Sequence, residues 1–303
     1  MRVLITGQGG QLAWELEQTA PSHIDWVAFD AQQLDITNTA RVYEVLVQES
    51  PDLVINAAAY TAVDNAESDS SIAYAVNEKG SENLALACKE INAKLIHVST
   101  DFVFDGKQTT PYSVDATPSP INVYGASKLM GDMKIADILG GNATIIRTAW
   151  VYSAHGNNFV KTMLRLMAEK PELGVIYDQV GTPTWAKGLA QLIWALTAKA
   201  DSFKPEADST ILHWTDAGVA SWYDFATAIQ ELAIEKGMLD KSIPVRPIPA
   251  SAYPLPAKRP SFSVIDKAST EAHSGVQTQH WRKQLSAMMD ELKARGEKRE
   301  ANS

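Results

Sequence analysis

The feature that most constrains this chain is the junction at its start. Val3-Leu4-Ile5-Thr6 runs straight into Gly7-Gln8-Gly9-Gly10-Gln11-Leu12-Ala13, after which the pattern turns helical. A strand that ends in glycines and passes at once into a helix forms a cradle for the pyrophosphate of a dinucleotide. Gly7 and Gly10 let the backbone turn tightly and let phosphates approach, while the amides of Gln11 and Leu12, at the positive end of the helix, face the anion. Ala13 holds the third position and still permits close packing of helix on strand. Glycine-rich turns join many strands to many helices, so the rest of the chain has to decide the matter.

The same strand-then-helix rhythm repeats. Strands are expected at Val3–Thr6, Trp26–Phe29, Leu53–Asn56, Lys94–Ser99 and Thr144–Arg147, with helices at Gln11–Thr19, Thr39–Ser50, Ser71–Ile91 and Tyr124–Leu139. Several of the strands are apolar on both faces, as strands covered by helices on two sides must be. The fold class is therefore α/β: a Rossmann-type doubly wound parallel sheet with a smaller C-terminal α/β lobe. The dinucleotide-binding unit is expected to span 1–156 with parts of 175–200, and the substrate-binding lobe 157–294. In that lobe, helices are expected at Phe159–Glu169, at Trp185–Thr197, from Ser221, whose Ser-x-x-Asp opening has the form of a capping box, and near Trp281–Lys293. Residues 295–303 are small or charged and read as a flexible tail.

Further strings fall at the C-terminal ends of strands, where ligands of open α/β sheets collect. Asp30 ends the second strand, where a carboxylate either takes the adenosine ribose hydroxyls or caps an ordinary turn, and Asp35 and Ile36 are placed to flank adenine. No Arg or Lys follows in Ala31-Gln32-Gln33 to attract a 2′-phosphate, so these residues by themselves favour NADH. Ala57-Ala58-Ala59 are small enough for ribose and phosphates to lie against backbone. Val98-Ser99-Thr100 ends the fourth strand, with Val98 against the cofactor and Thr100 in reach of a reacting carbonyl. Tyr124-Gly125-Ala126-Ser127-Lys128 opens the next helix, and this spacing puts Tyr124 and Lys128 on one face. An ammonium beside the phenol is expected to lower its pKa from about 10, so that Tyr124 donates a proton near neutrality while Lys128 holds the nicotinamide ribose.

Charge and cysteine content remove other classes. With 27 Lys+Arg against 36 Asp+Glu, a net charge of -9, no broad basic face is expected for nucleic acid or an anionic membrane surface. An anionic ligand must then meet a local basic pocket. The one cysteine, Cys88, allows neither an intrachain disulfide nor a cysteine metal cluster, which fits a reducing cytoplasm. The apolar run at the N-terminus is too short for a signal-peptide core, and no stretch reaches the ~18–20 apolar residues of a membrane span.

The glycine turn, the Thr100 strand end and the Tyr-x-x-x-Lys pair together resemble the extended short-chain dehydrogenase/reductase family. Longer strings are similar to the dTDP-4-dehydrorhamnose reductases within it: Asn56–Glu67 (NAAAYTAVDNAE), Ser99–Gly106 (STDFVFDG), Arg147–Thr162 (RTAWVYSAHGNNFVKT), Asp178–Ala186 (DQVGTPTWA) and Arg259-Pro260-Ser261. The resemblance implies reduction of the C4 ketone of dTDP-4-dehydro-L-rhamnose to dTDP-L-rhamnose, a donor sugar for bacterial surface polysaccharide. It implies that Tyr124 protonates the new oxygen, that Lys128 tunes Tyr124, that Thr100 and Asp101 orient the sugar, and that Trp150 lines the hexose site. For the nucleotide diphosphate, Lys161, Lys258 and Arg259 are the basic candidates, and Asn157, Gln179 and Thr182 offer neutral hydrogen bonds.

On cofactor, the resemblance implies NADPH ahead of NADH, against the reading of the loop after Asp30. Gly188-Leu189-Ala190-Gln191 lacks the glutamate through which some relatives bridge a dimer by magnesium. Magnesium is therefore not expected, and a homodimer would rest on other contacts. Two relatives set the alternatives: a non-catalytic dinucleotide-binding subunit like the methionine adenosyltransferase β subunit, and a dTDP-sugar epimerase or dehydratase that keeps its cofactor and returns the hydride. The intact set Thr100, Asp101, Trp150 and Arg259 favours the reductase.

Overall fold

The computed structural model describes residues 1–199 and 208–301. β1 (Arg2–Thr6) passes through the glycine turn into α1 (Gln11–Thr19), followed by β2 (Asp25–Phe29), α2 (Thr39–Glu49) and β3 (Leu53–Asn56). Two short helices, α3 (Val63–Ser68) and α4 (Ser70–Tyr74), then a π-helical turn at Ala75–Gly80 and α5 (Ser81–Ile91), lead to β4 (Lys94–Thr100). Next come α6 (Val123–Leu139), β5 (Ala143–Thr148), β6 (Val151–Tyr152), α7 (Phe159–Glu169), β7 (Leu173–Ile176), β8 (Val180–Gly181) and β9 (Thr184–Trp185). The chain ends with α8 (Ala186–Thr197), β10 (Thr210–His213), β11 (Ala220–Ser221), α9 (Trp222–Glu235), β12 (Val245–Ile248), α10 (Ala268–Ser274) and α11 (Trp281–Ala301).

Six strands form one parallel sheet in the order β10-β5-β4-β3-β1-β2. One face packs against α1 and α8 through Val3, Ile5, Leu16, Leu189 and Ile193. The other packs against α2, α5 and α6 through Leu4, Val42, Leu84 and Ile135. This two-sided cover is why β3 reads Leu-Val-Ile-Asn and is buried at every position. The chain goes outward from β1 to β2 and then returns to place β3 on the far side of β1. That reversal opens a crevice at the carboxyl ends of β1 and β3. A separate apolar core, with Tyr152, Val160, Met163, Phe225, Ile229 and Trp281, gathers the residues beyond β5.

Helix starts follow local side-chain chemistry. Asn38, Asn122 and Asn158 each accept a bond from the backbone N–H three residues on, at 3.1, 2.7 and 3.2 Å, and so cap α2, α6 and α7. Ser221 and Asp224 complete the expected capping box at the start of α9.

Three elements differ from expectation. The helix expected over Ser71–Ile91 is broken by the π-helical turn, β10 adds a sixth strand, and α11 runs to Ala301 through residues expected to be a tail. The extension of α11 is rich in Ala, Glu, Lys and Arg, which favour helix even where nothing apolar repeats. Arg295 also lies over the Trp14 ring, 4.2 Å from its centroid. Residues 302 and 303, and residue 200 of the expected nucleotide-binding unit, lie outside the described residues.

An ion pair joins α3 to the segment before Pro260. Arg259 Nη1 and Nη2 donate to Asp64 Oδ1 and Oδ2 at 3.0 and 2.7 Å, and the Ala257 amide adds a bond to the same carboxylate at 3.2 Å. The Arg259 guanidinium holds the Asp64 carboxyl below its ordinary value of 3.8, with the Ala257 amide adding to the effect and burial opposing it. A carboxyl with a depressed folded pKa stabilises the fold above its unfolded value, and that contribution is lost as pH falls through the folded value. Asp64→Asn is therefore expected to cost about 1 kcal/mol in urea unfolding near neutral pH, a figure kept small because both groups are partly solvated. The gap from the parent chain should narrow below pH 3.8; a gap that does not change with pH would contradict the pair's ionic contribution.

Candidate active site

A cleft of about 610 Å³ occupies the crevice at the switch point. It brings together Gly7, Gly10, Gln11, Leu12, Asp35, Ile36, Ala57, Ala58, Ala59, Val98, Thr100, Asp101, Tyr124, Lys128 and Trp150. Asp30, Asn157, Lys161, Gln179, Thr182 and Arg259 do not line it.

One end of the cleft is built for an anion. Gly7 has a φ of 80°, and a Cβ there would stand 2.8 Å from the Ala58 amide nitrogen, so only glycine lets the turn lie against the Ala57–Ala59 wall. Gly10 caps α1 without any side-chain bond, which leaves the amides of the first turn without a side-chain acceptor. Such a turn fits a pyrophosphate. Beyond it, Asp35 and Ile36 line the cleft, whereas the Asp30 carboxylate accepts bonds from the Gln32 and Gln33 amides at 2.9 Å each and holds its own turn. A cation from outside 31–33 does reach this loop: Arg41 Nε donates to the Gln33 carbonyl at 3.0 Å.

The other end holds the titratable groups. Asn122 starts α6 so that Tyr124 and Lys128 both face β4. Lys128 Nζ donates to the Val98 carbonyl at 2.8 Å and meets His97 Nε2 at 3.0 Å. Thr100 donates to Asp101 Oδ1 at 3.0 Å and accepts from the Phe102 amide at 3.1 Å. Beneath them Asp132 accepts from Ser99 at 2.7 Å and has Arg147 Nε at 3.9 Å. Burial sets most of the acidities: it lowers Lys128 to about 8 against the pull of Asp132, and raises Asp101 and Asp132 to about 6 each.

The expected shift of Tyr124 is reversed. Burial pushes its phenol up to about 12, a hydrogen bond with Thr100 opposes this, and the Asp101 and Asp132 charges add to it. The four-residue spacing does put Tyr124 and Lys128 on one helix face. Nζ, however, is bonded to β4 atoms, so it does not offset the loss of solvent around the phenol.

A third wall is aromatic. Trp150 takes a left-handed φ of 47°, unusual for a bulky residue, and stacks on Trp222 with ring centroids 3.6 Å apart. Trp222 was not singled out in the sequence, and neither was Asn77. In the π-helical turn, Asn77 accepts from the Tyr60 amide at 2.9 Å and donates to the Tyr60 carbonyl at 3.1 Å and to Ser127 Oγ at 3.0 Å. This ties the cleft wall to α6.

The remaining expected residues are engaged elsewhere. Asn157 and Lys258 are exposed, Lys161 Nζ donates to the Gly156 carbonyl at 2.7 Å, and Gln179 is buried. The Thr182 hydroxyl donates to the Gly218 carbonyl at 2.9 Å. Arg259, paired with Asp64, borders a second recess with Asp105, Lys107 and Ser261. Among the described residues no group of three His, Cys, Asp or Glu is placed to hold a metal ion. The buried Glu15 carboxylate accepts from Ser153 Oγ at 2.7 Å and from Trp185 Nε1 at 3.0 Å.

Comparison with known proteins agrees with this architecture. The family described as RmlD substrate binding domain matches residues 1–294. A dTDP-4-dehydrorhamnose reductase of Burkholderia thailandensis is 38% identical, with 93% of this chain and 96% of the relative covered. The spore coat polysaccharide biosynthesis protein SpsK of Bacillus subtilis is 37% identical, with 96% and 97% covered. A crystal structure of the dTDP-4-dehydrorhamnose reductase of Bacillus anthracis in complex with NADP is 34% identical and superposes with a TM-score of 0.88, covering 96% of this chain and 99% of that one. Matched in sequence over residues 1–294 and in fold over most of its length, the chain belongs to the RmlD substrate binding domain family.

Proposed function

We propose that this protein is an NAD(P)H-dependent oxidoreductase that reduces the C4 ketone of dTDP-4-dehydro-L-rhamnose to dTDP-L-rhamnose, in the cytoplasm, for surface polysaccharide. The observation that carries this reading is the meeting of Thr100, Tyr124 and Lys128 at one end of a cleft whose other end is a glycine cradle. The end-to-end match to relatives named dTDP-4-dehydrorhamnose reductase supplies the substrate. Residues 1–156 with α8 hold the dinucleotide and 157–294 hold most of the sugar nucleotide.

Gly7, Gly10 and the first-turn amides of α1 bind the pyrophosphate, and Ala57–Ala59 lie along it. The bound nicotinamide supplies the hydride for C4. NADPH is the first choice, supported by the NADP complex of the Bacillus anthracis relative and by Arg41 beside the ribose loop. Thr100 turns its hydroxyl from Asp101, its acceptor in the free protein, to donate to the C4 oxygen, and Asp101 helps to orient the sugar. Trp150, backed by Trp222, presents an apolar face to the hexose. Tyr124 then hands its proton to the nascent alkoxide. A phenol near 12 is fully protonated at neutral pH. The nascent alkoxide is a far stronger base than a phenolate, as water near ~15.7 is a far weaker acid than a phenol, so the transfer runs downhill. Tyr124 therefore serves as a donor without a lowered pKa. Lys128 holds the nicotinamide ribose.

Mixing the protein with NADPH or NADH and dTDP-4-dehydro-L-rhamnose should oxidise the cofactor, followed by absorbance. A folded, nucleotide-binding sample that oxidises neither would refute the reductase reading, and tightly retained NAD without net turnover would favour an epimerase. Tyr124→Phe should keep NADPH binding and lower kcat on the order of 10²–10⁴-fold, as loss of a positioned general acid does. Because Lys128 is a cation only below about 8 in the ligand-free protein, kcat/KM should fall as pH rises through that value. Lys128→Met should be slow throughout and lack that limb; an unchanged limb would assign it to another group.

A further inference from the structure

Among the described residues Lys128 Nζ has two hydrogen-bond partners, the Val98 carbonyl and His97 Nε2. Only the second is a side chain. His97 is completely buried, and its other nitrogen, Nδ1, is 2.9 Å from the Asn56 side-chain amide. The other end of that amide lies 2.7 Å from the Thr6 hydroxyl, which meets the Ala58 backbone amide at 3.3 Å. One line of hydrogen bonds thus runs from β1 through β3 and β4 to α6, ending at the cation of the cleft and touching the Ala57–Ala59 wall on the way.

We propose that His97 is a positioning residue that fixes the place and direction of the Lys128 ammonium, an inference that rests on the role given to Lys128 above. The ring is suited to this in two ways. Burial and the nearby Lys128 charge hold it neutral, so one nitrogen accepts and the other donates: Nε2 accepts from the ammonium, which can only donate, and Nδ1–H donates to the oxygen of the Asn56 amide. Nε2 also stands 3.5 Å from Asp132 Oδ1, a buried oxygen with no hydrogen-bond partner. A long flexible lysine in apolar surroundings is drawn strongly towards an opposite charge. By bonding Nζ itself, the imidazole keeps the cation at the cleft and lets Asp132 act on it only from a distance.

Two replacements separate position from packing. His97→Asn puts an amide near the place of Nδ1, keeping the bond to Asn56 and losing the reach to Nζ. His97→Gln carries its amide out to the place of Nε2. His97→Asn is expected to lower kcat on the order of 10–100-fold and to raise the KM for NADPH, as misplacement of a catalytic group by about an ångström does. His97→Gln should recover most of that loss although the two proteins melt at similar temperatures. Equal losses in both variants, or unaltered kinetics in folded His97→Asn, would overturn the proposal.

Lys128→Met distinguishes the two levels. If that variant turns over normally, the role of Lys128 itself is wrong; if it is inactive while His97→Asn is unaffected, only the role of His97 is. Should the His97 variants fail to fold, nitrogen NMR of the otherwise unaltered chain reads the same contact. The His97 Nε2 resonance should move on Lys128→Met, and a resonance that stays in place would overturn the proposal.

Discussion

Lys128 is only 1% exposed, and removing an ammonium from water costs several kcal/mol unless neighbours replace the solvent. Much of the central architecture meets that demand. The cation needs a backbone carbonyl, an imidazole and a distant carboxylate, and β4 supplies the first two while α6 supplies the third. For α6 to lie this close to its surroundings, Gly125 and Gly131 must have no side chain: a Cβ at the first would overlap the Phe102 carbonyl oxygen, and at the second that of Asn77. The Asn122 cap sets where the helix begins, and with it the face on which Tyr124 and Lys128 emerge.

The two ends of the cleft solve different problems. At the glycine end, uncapped amides and a positive-φ turn provide for an anion without any buried cation, which suits a chain of net charge -9. At the α6 end, three carboxyl or ammonium groups sit in a dry setting with acidities moved towards neutrality by burial. Trp150, which stacks on Trp222, gives the cleft an apolar surface whose cost is one strained backbone residue.

The parts legible in the sequence were those encoded by neighbours along the chain. The glycine turn, the Ala57-Ala58-Ala59 wall, the Thr100 strand end and the Tyr124–Lys128 spacing are all local patterns, and all come together in one cleft. His97 belongs to β4, where a lone polar side chain inside Leu-Ile-His-Val was a signal in itself, but its partners lie 31 and 41 residues away. Asn77 likewise acts across 17 and 50 residues, from a π-helical turn that no simple periodicity announces. The direction of the Tyr124 shift was missed for a related reason: spacing shows which residues share a face, not which atoms the ammonium bonds. Arg259 has the charge expected of an anion site, yet that charge is met by Asp64, far away in the chain.

That last pairing has a consequence for how the molecule comes to be. Asp64 and Arg259 are 195 residues apart, so the contact fastening α3 to the segment before Pro260 cannot exist until nearly the whole polypeptide has been synthesised. Domains emerging from the ribosome generally fold N-terminal part first. Here the face covered by α2, α5 and α6 can gather once β5 has emerged, while the other face waits for α8 and loop closure across so long a separation is intrinsically slow. The clasp between Asp64 and Arg259 therefore closes late, over a sheet whose first face is already packed.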